Sequence, residues 1–141
     1  MTRHDIEAMF ARRQVAWDRL DAHALAADHS EDGVVESPIA GGAVKGRDAI
    51  ESVYNTYFRA FTDMRVERDD LLIDGNQAAL FVHVAGTDLG GFMAMPPTGR
   101  RVSIPMVFLY RIKDGAIVHE RRIYDFTGVL IQVGVLKAKP S

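Results

Sequence analysis

A chain of 141 residues with a net charge of −2 has room for one domain with its own core, and it offers no basic field to nucleic acid. It contains no cysteine, which excludes disulfides and thiolate nucleophiles and fits a cytoplasmic protein. No run approaches about 18 apolar residues, and the polar N-terminus lacks the apolar stretch of a signal peptide, so neither a membrane span nor secretion is expected.

Residues 3–29 read as one helix. Ile6, Met9, Phe10, Trp17, Leu20 and Ala24 recur at three- and four-residue steps, which makes one buried stripe. Thr2 with Asp5 resembles a capping box. Arg13 falls on the same stripe, between Phe10 and Trp17, and its expected place is a snorkelling stem with the guanidinium in water. Residues 30–46 break the period. Within them 34–37 read as a short strand and 39–43 as a glycine-rich loop, without the fingerprint of a phosphate or dinucleotide loop. Residues 47–62 read as a second helix, with Ile50, Val53, Tyr54, Tyr57, Phe58 and Phe61 on its apolar face. In a domain with a cavity those tyrosine hydroxyls can point into it.

From residue 64 the period changes to two. Residues 64–73 and 77–87 flank Asp74-Gly75-Asn76, a hairpin turn signal. Residues 87–91 and 95–100 are glycine- and proline-rich breaks. Residues 102–113 form a long strand, Asp114-Gly115 turns it, and a return strand follows. The tail, 137–141, reads as frayed. Two helices followed by antiparallel strands predict an α+β domain over residues 1–141, with the helices on one face of a curved sheet.

The last hairpin carries the candidate chemistry. A two-residue turn pairs Lys113 with Ala116, and strict alternation then sets Tyr110 opposite His119, Phe108 opposite Arg121 and Ile104 opposite Asp125. That register puts His119, Arg121 and Asp125 on a mostly apolar wall with Tyr110 and Phe108. A three-residue loop would invert the facing. Unpaired charges on such a wall are costly, so they should pair with each other or with a ligand. A carboxylate there suits general acid/base work. An Asp125–Arg121 ion pair bracing the sheet, or Asp125 capping the segment that follows, accounts for the residues equally well. Five histidines are scattered without metal-ligand spacing, and no Gly-x-Ser-x-Gly elbow is present, so neither metal nor acyl-enzyme chemistry is expected.

Five motifs carry a resemblance: Gly46-Arg47-Asp48-Ala49-Ile50, Leu72-Ile73-Asp74-Gly75, Gly86-Thr87-Asp88-Leu89-Gly90, Pro96-Pro97-Thr98-Gly99-Arg100, and the run from Tyr124 and Asp125 to Leu130-Ile131-Gln132-Val133-Gly134. Together with the element order they resemble the SnoaL-like polyketide cyclase (ester cyclase) family of the NTF2-like cone fold. The acid followed by Leu-x-Gln-x-Gly is the most specific of them.

The resemblance implies a helix-lidded sheet around an apolar cavity and a small apolar or polyketide-like ligand. It further implies ring closure by an intramolecular aldol reaction without cofactor or metal, an acid/base role for Asp125, and dimerisation through the outer sheet face. Asp88 stands where many relatives have His, and His119 and Arg121 stand where many have Glu and Trp. Sister enzymes of the fold widen the choice. Steroid isomerases use an acid in an apolar cone, and limonene-type epoxide hydrolases use two Asp around an Arg, a trio that Arg121, Asp125 and Asp88 partly resemble. A non-catalytic small-molecule binder is the third reading. The predicted site is therefore Asp125, His119 and Arg121 for catalysis, with Tyr110, Phe108, Asp88, Tyr54 and Trp17 around the ligand.

Overall fold

The computed structural model describes residues 1–38 and 42–139, so most of the glycine-rich segment and the last two residues of the tail lie outside the described residues. Helix α1 spans Arg3–Asp18 and begins as its capping residues dictate. Thr2 Oγ1 accepts the Asp5 N–H, and Asp5 Oδ2 accepts the Thr2 N–H at 2.8 Å. The single helix expected over residues 3–29 is broken. Leu20 takes a left-handed φ of 51°, and Asp21 caps a new helix, α2 (Ala22–Ala27), by accepting the Ala24 N–H. The break re-aims the chain so that Ala22, Leu25 and Ala26 are buried as well.

Strands β1 (His29–Ser37) and β2 (Gly42–Lys45) lead into helix α3 (Arg47–Ala60), and β3 (Arg65–Asp74), β4 (Gln77–Thr87), β5 (Arg101–Lys113) and β6 (Ala116–Ile123) follow. A short helix α4 (Phe126–Gln132) closes the chain. The six strands form one curved mixed sheet in the order β2-β1-β6-β5-β4-β3, parallel only between β1 and β6. Helices α1 to α3 cover its concave face. Two apolar clusters fill the space between. The larger joins Ile6, Phe10, Leu25, Tyr54, Val82, Phe108 and Ile117. The smaller, at the other end, joins Phe61, Phe92, Val102, Ile104, Val129 and Val133.

The last hairpin overturns the expected facing. Its turn is as read: Asp114 and Gly115 have φ of 52° and 79°, Lys113 pairs with Ala116, and Ile112 pairs with Ile117. The ladder then shifts by one residue. Beyond a bulge at Val118, Arg111 pairs with His119, Tyr110 with Glu120, Leu109 with Arg121 and Phe108 with Arg122. A one-residue slip sends every later side chain to the opposite face. Glu120 and Arg122 are buried, whereas Arg121 and Ile123 are exposed and His119 is half-buried. The pairing of β1 with β6 is irregular at the same point, between His29 and Val34.

Candidate active site

A partly open apolar pocket of about 60 Å³ lies where the two apolar clusters meet. Trp17 from α1, Tyr54, Tyr57 and Phe58 from α3, Phe92 from the 92–94 turn, Ile104, Met106 and Phe108 from β5, and Val129 from α4 form its walls. Among the described residues, the polar side-chain groups carried by its lining residues are the tyrosine hydroxyls, the Trp17 indole N–H and the Arg122 guanidinium. Tyr57 joins Tyr124 at 2.8 Å and Ser37 at 3.0 Å, which makes a short hydroxyl chain along one wall.

Arg122 is 5% exposed, and its Cζ lies 4.5 Å from the centre of the Tyr54 ring and 5.6 Å from that of Phe108. Its Nε donates to Glu120 Oε2 at 2.8 Å. Glu120 is fully buried and is the hub of a network. Its Oε1 accepts the Tyr54 hydroxyl at 2.7 Å, lies 3.3 Å from His29 Nε2 and lies 3.6 Å from Arg13 Nη2. Arg13 Nη1 donates to Asp28 and to the Leu25 carbonyl, and its Nη2 donates to Tyr54. The snorkelling expected of Arg13 is therefore wrong: its side chain is 1% exposed. Two acidic partners and a tyrosine hold it in the core, and such pairing is what a buried charge requires.

Burial alone would raise the Glu120 carboxyl pKa. The Arg122 charge, then the His29 hydrogen bond and charge and the Arg13 charge, outweigh it and hold the group well below the carboxylate range. Burial tends to lower the Arg122 pKa, but Glu120 reverses this and raises it. Tyr54 is pushed up to about 12 by burial and the Glu120 charge, and burial also raises Tyr110 and Tyr124.

These shifts set an alkaline limit. A phenol whose folded pKa exceeds its unfolded value, about 10, contributes stability that is complete below that pH and is lost as pH rises through the folded value. Stability is expected to fall steeply above about pH 10. The ultraviolet tyrosinate band of Tyr54, Tyr110 and Tyr124 should appear only with unfolding. A smooth titration of every tyrosine in the folded protein would contradict this.

The predicted site residues divide sharply. Trp17, Tyr54 and Phe108 stand on the cavity wall. Tyr110 is buried on the same sheet face but outside the cavity lining; it lies under Arg13 and its hydroxyl lacks a partner among the described residues. His119 and Arg121 are corrections, because the bulge at Val118 turns both to the outer face of the sheet. There His119 Nε2 meets Glu36 at 2.9 Å, and His119 and Arg121 line a shallow groove of about 350 Å³ with Leu72, Ala79 and Leu109.

Asp88 is buried yet does not enter the cavity. Its carboxylate accepts the Gly91 and Thr98 N–H groups and the Thr98 hydroxyl, which fastens the two loop breaks together. Asp88, Arg121 and Asp125 thus do not converge, and the Asp-Arg-Asp trio of an epoxide hydrolase is not assembled.

Asp125 is exposed and caps α4, accepting the Gly128 N–H at 2.9 Å. It is not itself a lining residue, but Tyr124 before it and Val129 after it are. The rest of its motif is structural. A Cβ on Gly128 would lie 2.4 Å from Asp125 Oδ2, so glycine leaves room for the carboxylate. Gln132 clamps α4 to β5 through the Ser103 N–H and carbonyl. Gly134 takes a φ of 87° just past the helix end.

Glu120, Arg122 and Arg13 are the charged groups that sequence reasoning missed. One signal was present, since Glu120 and Arg122 are opposite charges two residues apart on a strand and so share a face.

The profile of the SnoaL-like polyketide cyclase family matches residues 8–133. The chain belongs to the SnoaL-like polyketide cyclase family. Nogalonic acid methyl ester cyclase of Streptomyces nogalater is 36% identical over 72 residues, 51% of this chain and 54% of that protein. The chain thus matches about half the length of this curated relative. Among solved structures, AclR of Streptomyces galilaeus, a candidate hydroxylase, is 27% identical with a TM-score of 0.83, covering 99% of this chain and 87% of that one. An NTF2-like protein of Burkholderia pseudomallei shares the fold at 16% identity and a TM-score of 0.78, covering 95% and 99% of the two chains. The α+β cone with its curved sheet is therefore the NTF2-like fold. Among the described residues no helix is long and apolar enough to cross a membrane.

Proposed function

We propose that this SnoaL-like chain is a cofactor-independent enzyme that moves a proton beside a carbonyl of an apolar, polyketide-like molecule, with Asp125 as the proton carrier. The observation that carries this reading is the aromatic, apolar pocket, bounded by Tyr124 and Val129 on either side of Asp125 in the chain. An apolar wall of this kind strengthens every electrostatic contact made to a developing enolate. In ring closure, the Asp125 carboxylate takes a proton from the carbon next to a carbonyl. That carbon bonds to a second carbonyl carbon, and the resulting alkoxide regains the proton. Product and substrate have the same mass.

A cavity of about 60 Å³ holds only a few waters. A multi-ring substrate must widen it. The wall made by the 92–94 turn and α4 is side-chain packing rather than sheet, so widening costs least there.

The test incubates the protein in heavy water with nogalonic acid methyl ester and a panel of aryl ketones and keto esters. Deuterium uptake beside the carbonyl above the uncatalysed rate, or a ring-closed product of unchanged mass, is the expected result. Neither exchange nor product across the panel would leave a non-catalytic binding module. A second reading, hydroxylation by dioxygen with two electrons from an added reductant carrying the second oxygen atom to water, is supported by the likeness to AclR over most of both chains; a product heavier by one oxygen atom selects it.

Self-association belongs to the same proposal. The outer sheet face exposes Phe81, Ile123 and Leu72 beside Arg121, an apolar patch suited to a second copy of the chain. Sedimentation is expected to give a dimer that Ile123→Asp converts to monomer. A monomeric unaltered protein would refute this.

A further inference from the structure

We propose that Arg122 anchors an ionised oxygen of the ligand, the enolate or phenolate oxygen of a flat conjugated molecule. This deepens the cyclase reading by naming the chemical class the cavity takes and the group that holds it.

The case begins with hydrogen bonds left unmade. Arg122 Nη2 has no partner among the described residues, although the residue is buried and lines the cavity. Trp17, another lining residue, has an Nε1 without a partner as well. Buried donors are nearly always satisfied; Arg13 Nε and the Tyr110 hydroxyl are also without partners but belong to residues outside the lining, whereas these two belong to residues of one small cavity, where a ligand can bring the acceptors.

The charge is also only partly answered. Among the described residues, Glu120 is the one carboxylate against Arg122, and it also lies 3.6 Å from Arg13, whose Nη1 pairs with Asp28 at 2.8 Å. Its Oε2 serves Arg122, while its Oε1 is occupied by Tyr54 and His29 near Arg13. Arg122 is thereby fixed along one edge, with Nη2 left for an oxygen. Glu120 acts through Arg122 and is a positioning residue. The aromatic rings of Tyr54, Tyr57 and Phe108 flank the guanidinium, and the same aromatic walls favour a flat conjugated ring system as the carrier of the oxygen it takes. A guanidinium selects an ionised oxygen over a neutral one of the same shape because charge-assisted hydrogen bonds are about twice as strong.

The test uses 4-nitrophenol, whose phenolate absorbs visible light, and 4-nitroanisole, which has a similar shape and cannot ionise. The unaltered protein is expected to bind 4-nitrophenolate about tenfold or more tightly than 4-nitroanisole. The bound phenol should also ionise at a lower pH than the free one. Arg122→Lys keeps the charge and should keep the preference.

The double change Glu120→Gln with Arg122→Gln removes the guanidinium without stranding a carboxylate. It should bind both probes alike, with circular dichroism confirming the fold. Equal binding of the two probes by the unaltered protein, failure to bind either, or a preference that survives the double change overturns the proposal.

Asp125→Asn separates this proposal from the reading it rests on. That variant should keep the phenolate preference while losing proton exchange. Loss of preference with exchange intact refutes the anchor alone. Preference without any exchange in the unaltered protein refutes the enzyme alone.

Discussion

Replacing Glu120 by Ala is expected to cost about 3–5 kcal/mol of folding stability, the range for removing one partner of a buried ion pair. For a domain of this size that is a fall in Tm of roughly 10–15 °C. The cause is what remains. Arg13 and Arg122 are both fully buried guanidiniums, and without Glu120 neither Arg122 nor the Nη2 side of Arg13 faces a carboxylate. Tyr54 also loses the acceptor of its hydroxyl.

Replacing Arg13, Glu120 and Arg122 together by apolar residues of similar length is expected to be far milder, because no charge is stranded. Thermal melts of the single and triple variants check both statements. A loss below about 1 kcal/mol for Glu120→Ala would show that the network is weak.

The pH dependence follows from the same hub. The folded Glu120 carboxyl lies below its unfolded value, near 4.3. Its contribution is complete above that pH and is lost as pH falls toward the folded value. Acid unfolding should therefore begin below about pH 4.3 and flatten in Glu120→Gln.

This network is also where sequence and structure part. Capping by Thr2 and Asp5, the aromatic face of α3 and the Asp114-Gly115 turn are local features, each set by residues within a few positions, and each is found in the structure. The bulge at Val118 is not local. The two possible faces of β6 and the residue that follows it, with His119, Arg121 and Ile123 on one and Glu120, Arg122 and Tyr124 on the other, carry similar mixtures of charge and apolar surface. Alternation alone cannot rank them.

What ranks them is a set of partners far away in sequence. Arg13, His29 and Tyr54 gather around Glu120 from α1, β1 and α3. Facing Glu120 and Arg122 inward satisfies that set, at the cost of exposing Ile123. Arg13 misled for the same reason. A charge on an apolar stripe reads as snorkelling unless its partners are known. The capping of α4 by Asp125 was legible because its motif is contiguous.

Asp125→Asn is expected to lower proton exchange or ring closure by about 10²- to 10⁴-fold while leaving Tm nearly unchanged. The two halves of this outcome separate the two roles the residue can hold. As the N-cap of α4, Asp125 needs only a side-chain oxygen that accepts the Gly128 N–H. Asn and Ser serve as N-caps about as well as Asp. As a proton carrier it needs an ionisable carboxyl, which neither Asn nor Ser has.

Asp125→Asn and Asp125→Ser should therefore fold like the unaltered protein and be inactive. Asp125→Ala should be inactive and also lose about 1 kcal/mol of stability with the cap. Gly128→Ala supplies the converse test. Its added Cβ collides with the Asp125 carboxylate, so activity should fall although the acid is still present. Full activity in both Asn and Ser variants would remove Asp125 from the chemistry. Activity lost only in the Ala variant would show that the helix cap, and with it the position of Val129 on the cavity wall, is what the reaction requires.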